Sequence, residues 1–382
     1  MDLSFTDDQI AVRDAITKLC EKYDDAYWLA RDTDGVFPED FVKDLADGGW
    51  LGIAMPEEYG GSGLGVIEAG LMMQAIAQSG AGFSGASAVH INIFGPNPLV
   101  VHGTAEQKQK YLPPLIAGKD RSCFGVTEPN AGLDTSRMET KAVLEGDKYI
   151  VNGRKMWTST AQTANKILLL ARTSPRDEGK KPTDGITMFY TEFDRDYCEA
   201  RVIEKMGRKA VDSNATFYDN LPVPVTDRIG EEGKGFHYLL DGLNPERILI
   251  ALECVGLGRA ALRKAVEYAN ERVVFDRPIG KNQAIQHPLA DSWAHLEAAD
   301  AMAWRAAALY DAGQPCGAEA NAAKYLAAEA CYTACERAVM THGGMGYAKE
   351  FHVERYLRES FISRIAPVSR EMILNYISQH VL

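Results

Sequence analysis

Three alanine-rich stretches, residues 251–272, 284–312 and 317–340, constrain the fold most. Their length and small side chains suit helices whose backbones approach closely, so the last third of the chain reads as a helical bundle. Val255-Gly256-Leu257-Gly258-Arg259-Ala260-Ala261 lies within the first stretch and forms a G-x-G-x-x-A string. No strand precedes it, so close helix contact explains it better than a dinucleotide-binding turn. Thr341-His342-Gly343-Gly344-Met345-Gly346-Tyr347 then breaks the helical pattern. Its glycines either let the backbone approach a ligand or another chain, or form a plain loop.

The start of the chain is helical as well. Thr6 as N-cap, Gln9 completing a capping box, and Phe5 against Ile10 mark a helix running to about Tyr23. Residues 36–118 keep helical periodicity, interrupted by Tyr59-Gly60-Gly61-Ser62-Gly63-Leu64-Gly65, which reads as a surface turn because it lacks the strand and Lys-Ser/Thr ending of a phosphate loop. From Ser122 to about Gly235 the pattern is β. Short runs such as Lys148–Gly153, Lys166–Ala171, Gly185–Tyr190 and Ala215–Tyr218, separated by turn residues, predict an antiparallel sheet or barrel with Pro222 and Pro224 at its exit. The expected division is an N-terminal α-helical domain over 1–121, a middle β domain over 122–235 and a C-terminal helical bundle over 236–382, an α+β architecture.

Net charge narrows the partners. A charge of −12 over 382 residues, with a pI near 5.2, argues against non-specific binding to nucleic acid or an anionic membrane, which need a basic surface, and leaves room for a local basic pocket for a phosphorylated ligand. Seven cysteines with no CxxC pair fit a reducing compartment better than a disulfide framework, and Cys331 and Cys335 read as core thiols rather than metal ligands. Met1-Asp2-Leu3-Ser4-Phe5 shows no leader pattern, and no apolar run is long enough to span a bilayer, so a soluble cytoplasmic protein with no metal site is expected.

One short stretch carries chemistry. In Leu243-Asn244-Pro245-Glu246-Arg247-Ile248-Leu249, Asn244 reads as N-cap and Pro245 as the first helical residue. Glu246 then occupies the second helical position, and two readings are open. It either decorates a helix start, where the dipole lowers its pKa, or acts as a general base in an apolar pocket, where burial raises it.

The order of helices, sheet and helices resembles the acyl-CoA dehydrogenases over essentially the whole chain. Phe124-Gly125-Val126-Thr127-Glu128-Pro129-Asn130-Ala131-Gly132-Leu133-Asp134 and Lys155-Met156-Trp157-Thr158-Ser159 are similar to that family's two flavin-contact segments. Glu271-Arg272-Val273-Val274-Phe275 with Asn282-Gln283-Ala284-Ile285 resembles the segment that contacts the flavin nucleotide of a neighbouring subunit. The His342–Tyr347 turn and Ser369-Arg370-Glu371 complete the resemblance. It implies FAD held by Phe124, Val126, Thr127, Gly132, Leu133, Trp157, Ser159, Arg272, Phe275, Gln283, Met340, Gly343, Gly344, Ser369 and Glu371. It implies an acyl-CoA substrate contacting Leu133, Asn244 and Arg247, and Glu246 as the base, in the placement of the isovaleryl and long-chain types. The reaction implied is α,β-dehydrogenation to a trans-2-enoyl-CoA in fatty-acid β-oxidation, with electrons passed to an electron-transferring flavoprotein by a homotetramer built as a dimer of dimers.

The chain also departs from the family. Ile365-Ala366-Pro367-Val368-Ser369 has no acid where most members carry the base, and Pro367 has no N–H where the family's backbone donates to the thioester carbonyl. Leu133, Met340 and Asp276 replace serine, glutamine and glycine. A flavin oxidase or monooxygenase of the same fold, and a non-catalytic flavin or acyl-CoA-binding scaffold, stand as alternatives.

Overall fold

A computed structural model describes residues 5–177 and 179–382; Met1–Ser4, which bear on the leader reading, lie outside them. The chain opens with α1 (Asp7–Cys20), α2 (Asp25–Asp34), α3 (Glu39–Asp47), α4 (Val66–Ile76), α5 (Gly82–Phe94), α6 (Asn97–His102) and α7 (Ala105–Ile116). The capping box at the start of α1 forms as expected: Gln9 N–H donates to Thr6 Oγ1 at 3.2 Å and Thr6 N–H to the Gln9 side chain at 3.0 Å. Phe5 meets the edge of Trp304 with ring centroids 4.9 Å apart, tying this end to the C-terminal helices.

The sheet comprises β1 (Ser122–Gly125), β2 (Lys141–Glu145), β3 (Lys148–Ser159), β4 (Lys166–Arg172), β5 (Ile186–Glu192), β6 (Cys198–Val202), β7 (Ser213–Pro224) and β8 (Arg228–Ile229). Its order is β6-β7-β3-β2-β4-β5-β8, with β1 beside β4. Most pairs are antiparallel; β1 runs parallel to β4, and β2 touches β4 in parallel at one residue. Pro222 and Pro224 are not the exit from the sheet: they lie inside β7, opposite Ile150 and Lys148. Proline is tolerated there because β6 pairs with β7 only as far as Tyr218, leaving the last part of β7 an edge.

Then come α8 (Gly235–Glu271), a two-stranded ribbon of β9 (Val273–Val274) and β10 (Arg277–Pro278), α9 (Gln283–Asp311), α10 (Gly317–His342), α11 (Val353–Ser360), α12 (Ile362–Ile365) and α13 (Arg370–His380). Both glycines of the G-x-G-x-x-A string serve close packing. A Cβ on Gly256 would meet the Gln74 carbonyl oxygen at 2.5 Å, and one on Gly258 would meet Leu296 Cδ2 at 2.5 Å.

The helix start expected at Asn244 does not exist. α8 begins at Gly235 and carries Pro245 in its interior. Leu239 is buried beside Phe236 and Tyr238 in a core shared with the sheet, and this packing extends the helix backward past the local stop signal. Asn244 caps nothing; its Oδ1 accepts from Arg247 Nη1 at 3.1 Å.

α4 and α5 are joined through a wider turn, Ala77–Ala81, with left-handed backbone at Gly80 and Gly82. Buried Arg355 donates to the Gly80 carbonyl at 2.6 Å, and buried Glu359 accepts from Phe83 N–H at 2.7 Å, Ser84 N–H at 3.2 Å and Ser84 Oγ at 2.6 Å. The carboxylate thus satisfies the orphan donors of the first turn of α5. A Cβ on Gly82 would come 2.6 Å from Glu359 Oε2, which makes glycine necessary there. Removing one partner of a buried ion pair costs about 3–5 kcal/mol, so Glu359→Gln should unfold at clearly lower temperature in a thermal melt. The double variant Arg355→Met/Glu359→Leu should lose less than the sum of the two single changes.

Candidate functional site

Two buried charged groups hold the first two flavin-like segments together. Lys155 on β3 is fully buried and donates to Glu128 Oε1 at 2.8 Å and to the Val126 carbonyl at 3.1 Å. Glu128 also accepts from Glu139 N–H at 2.6 Å and Thr140 N–H at 3.0 Å. Burial raises the proton affinity of this carboxylate, but Lys155 and the backbone donors outweigh it and hold its pKa below the usual range. Burial brings Lys155 down to about 8. Met156 N–H then bonds the Thr127 carbonyl at 2.8 Å, which sets Phe124, Val126 and Thr127 beside Trp157 and Ser159.

Trp157 lies at an irregularity in the β3–β7 register, with φ 63° and 56% exposure. A left-handed backbone at a bulky residue is strained, and it presents an indole outward beside a polar edge. Leu133 is 67% exposed on the loop between β1 and β2, next to exposed Gly132. Sequence reasoning missed Arg208: also left-handed, it donates to Ser159 Oγ at 3.1 Å and Ser87 Oγ at 3.2 Å. Nothing in its local sequence marked it, because these partners come from two distant elements.

Glu246 lies about three turns into α8, well past the first turn where the dipole would favour it, so the helix-start reading falls away. Protein surrounds its carboxylate, although the residue as a whole is only half-buried. Burial raises its pKa; His90, Arg247 and Lys324 oppose that rise, and Glu253 adds to it. Lys324, fully buried on α10, donates to the Val368 carbonyl at 2.6 Å. Pro367 and Val368 are thereby held to the same end of the bundle as Glu246. Ser369 caps α13, its Oγ accepting from Met372 N–H at 3.3 Å, and Glu371 is exposed beside Arg370.

The remaining residues gather elsewhere. Arg272 follows α8 roughly 26 residues beyond Glu246, about 40 Å along the helix at 1.5 Å per residue. Phe275, at the tip of the β9–β10 ribbon, is 94% exposed, and Gln283 opens α9. Tyr268 stacks on His342 at 4.3 Å, bringing Gly343, Gly344 and exposed Met340 to this same far end. Within one chain the structure therefore makes two clusters, not one.

The comparisons with known proteins cover the whole architecture. Residues 6–119, 123–221 and 233–382 match the acyl-CoA dehydrogenase N-terminal, middle and C-terminal domains. The chain belongs to the acyl-CoA dehydrogenase family. It is 36% identical to an acyl-CoA dehydrogenase of Bacillus subtilis over 91% of this chain and 90% of that one. It is 35% identical to the caffeyl-CoA reductase-Etf complex subunit CarC of Acetobacterium woodii over 85% of each. The butyryl-CoA dehydrogenase structure from Megasphaera elsdenii superposes with a TM-score of 0.95 at 31% identity, covering 100% of both chains. The family is FAD-dependent, and the described residues contain no helix long and apolar enough to cross a membrane.

The residues present fit that cofactor. Exposed Trp157 and Phe275 offer flat faces, and Thr127 and Ser159 offer hydroxyls beside the first of them. Glu128→Ala would strand Lys155 and two backbone donors at once. A loss of about 3–5 kcal/mol in stability, with flavin lost on purification, is expected from urea unfolding and the flavin absorbance ratio.

Proposed function

We propose that this protein is an FAD-dependent acyl-CoA dehydrogenase that converts a saturated acyl-CoA thioester to the trans-2-enoyl-CoA, with Glu246 taking the α proton. The supporting observation is the Glu246 carboxylate itself, enclosed by protein away from any helix terminus, with a pKa raised by burial toward that of a working base. Bound FAD supplies the acceptor for the hydride that leaves the β carbon. Phe124, Val126, Thr127, Gly132, Leu133, Trp157 and Ser159 would hold it on one side, with Ser369 and Glu371 at the C-terminal end of the site. Leu133, Asn244 and Arg247 would line the substrate. Asn244 orients Arg247 through their 3.1 Å hydrogen bond.

Arg272, Phe275, Gln283, Met340, Gly343 and Gly344 serve a neighbouring subunit's flavin in this reading. Their distance from Glu246 along a rigid helix favours that over a contact within one chain. A homotetramer of shared-site dimers follows, divided into domains 1–121, 122–235 and 236–382. Electron-transferring flavoprotein is the proposed acceptor, in keeping with the relative named as part of an Etf complex. Seven buried free cysteines suit the cytoplasm, and fatty-acid β-oxidation suits the reaction.

The deciding experiment is anaerobic mixing with saturated acyl-CoAs differing in length and branching, followed by flavin absorbance. Rapid bleaching by at least one is expected, and Glu246→Gln should slow it about 10²–10⁴-fold. A panel that saturates the protein without bleaching, or full bleaching by Glu246→Gln, would overturn the proposal. Because Glu246 must be ionised to accept a proton, the bleaching rate should rise with pH along a limb centred above the ordinary carboxylate range. A second variant, Arg272→Ala, should lower flavin retention while leaving the surroundings of Glu246 intact, checked by cofactor content after gel filtration.

A further inference from the structure

Glu253 lies two turns beyond Glu246 on α8, seven residues on, so both carboxylates face the same side of one helix. Glu253 is fully buried, and its Oε1 lies 2.6 Å from Nδ1 of buried His90 on α5. The other atom of each group, Glu253 Oε2 and His90 Nε2, is buried with no hydrogen-bond partner in the protein. A buried charge is tolerated only when paired, and here one contact carries the whole pairing. Burial works against a charged imidazole, but the adjacent Glu253 and the nearby Glu246 more than offset it, and the pKa of His90 is raised. His90 and Glu246 each act on the other's charge.

We propose that His90 and Glu253 form a buried positioning pair that sets the proton affinity of the Glu246 carboxylate. The inference rests on the reading of Glu246 as the base. An imidazolium on Glu253 places a positive charge near Glu246, so the base is held less readily protonated than burial alone would make it. Arg247 on α8 and Lys324 on α10 add positive charge to Glu246, while Glu253 itself subtracts from it. On the His90 side, Arg208 opposes the imidazolium. Its own anchoring to Ser87 Oγ, one turn before His90 on α5, and to Ser159 Oγ connects the pair to the proposed flavin wall. The placement of α5 depends on the Glu359 carboxylate at its first turn, which fixes where His90 meets α8.

Coupling between two titrating groups is reciprocal, so it can be read from either end. In the assembled holoprotein, the protonation midpoint of Glu246 is followed by the infrared band of its acid form, identified by its loss in Glu246→Gln. The His90 midpoint is followed by NMR of ¹³C-labelled histidine, identified as the signal that moves in Glu253→Gln. His90→Gln should raise the Glu246 midpoint by about one pH unit or more, and Glu246→Gln should lower the His90 midpoint by a similar amount. Glu246→Gln preserves shape, so the second measurement decides the matter even if His90→Gln fails to fold. Unchanged midpoints would overturn the inference. Flavin bleaching in the same samples tests the base separately: coupled midpoints with full bleaching by Glu246→Gln would retain the pair's effect and discard the base.

Discussion

The close approach of α8 to its neighbours is the constraint on which the rest depends. Gly256 and Gly258 remove the side chains that would strike the Gln74 carbonyl and Leu296, and a run of alanines continues the contact toward α10. One long helix therefore serves as a ruler through the molecule. Glu246 sits in its first half, Glu253 at its midpoint and Arg272 at its C-terminal cap, so their separation is set by helical rise rather than by loops. The chemistry at each end inherits the rigidity of the packed middle.

Buried charge is distributed around this frame in pairs. Lys155 with Glu128 joins the two segments of the proposed flavin wall, Arg355 with Glu359 fixes the break before α5, and His90 with Glu253 stands beside Glu246. Such pairs contribute little net stability, since desolvation offsets attraction, but breaking one is costly. Their effect is to define a single arrangement. Each also ties segments distant in sequence: Glu128 reaches β3, Glu359 reaches α5, and His90 reaches α8.

Much of the fold was legible from pattern. The Thr6–Gln9 box, the β runs after Ser122 and the three alanine-rich helices depend on local periodicity and capping, and they stand where the residues indicate. The error at Asn244-Pro245 has a physical cause. Local preference favours a helix start there by about 1 kcal/mol, and burial of Phe236 and Leu239 against the sheet outweighs it. Arg208, Lys324, His90 and Glu253 were illegible for a related reason. Each is an ordinary residue of its own element, and its meaning comes from a partner on another.

By itself the sequence determined the order of helical and β regions, the acidic net charge, and the acid-arginine pair at 246–247, because those follow from composition, period and adjacency. Only the tertiary structure decided the environment of Glu246. Whether that carboxylate meets a helix dipole or is enclosed by protein depends on where α8 begins and on what α5 and α10 bring beside it. Both are set by packing across hundreds of residues, which no local pattern records.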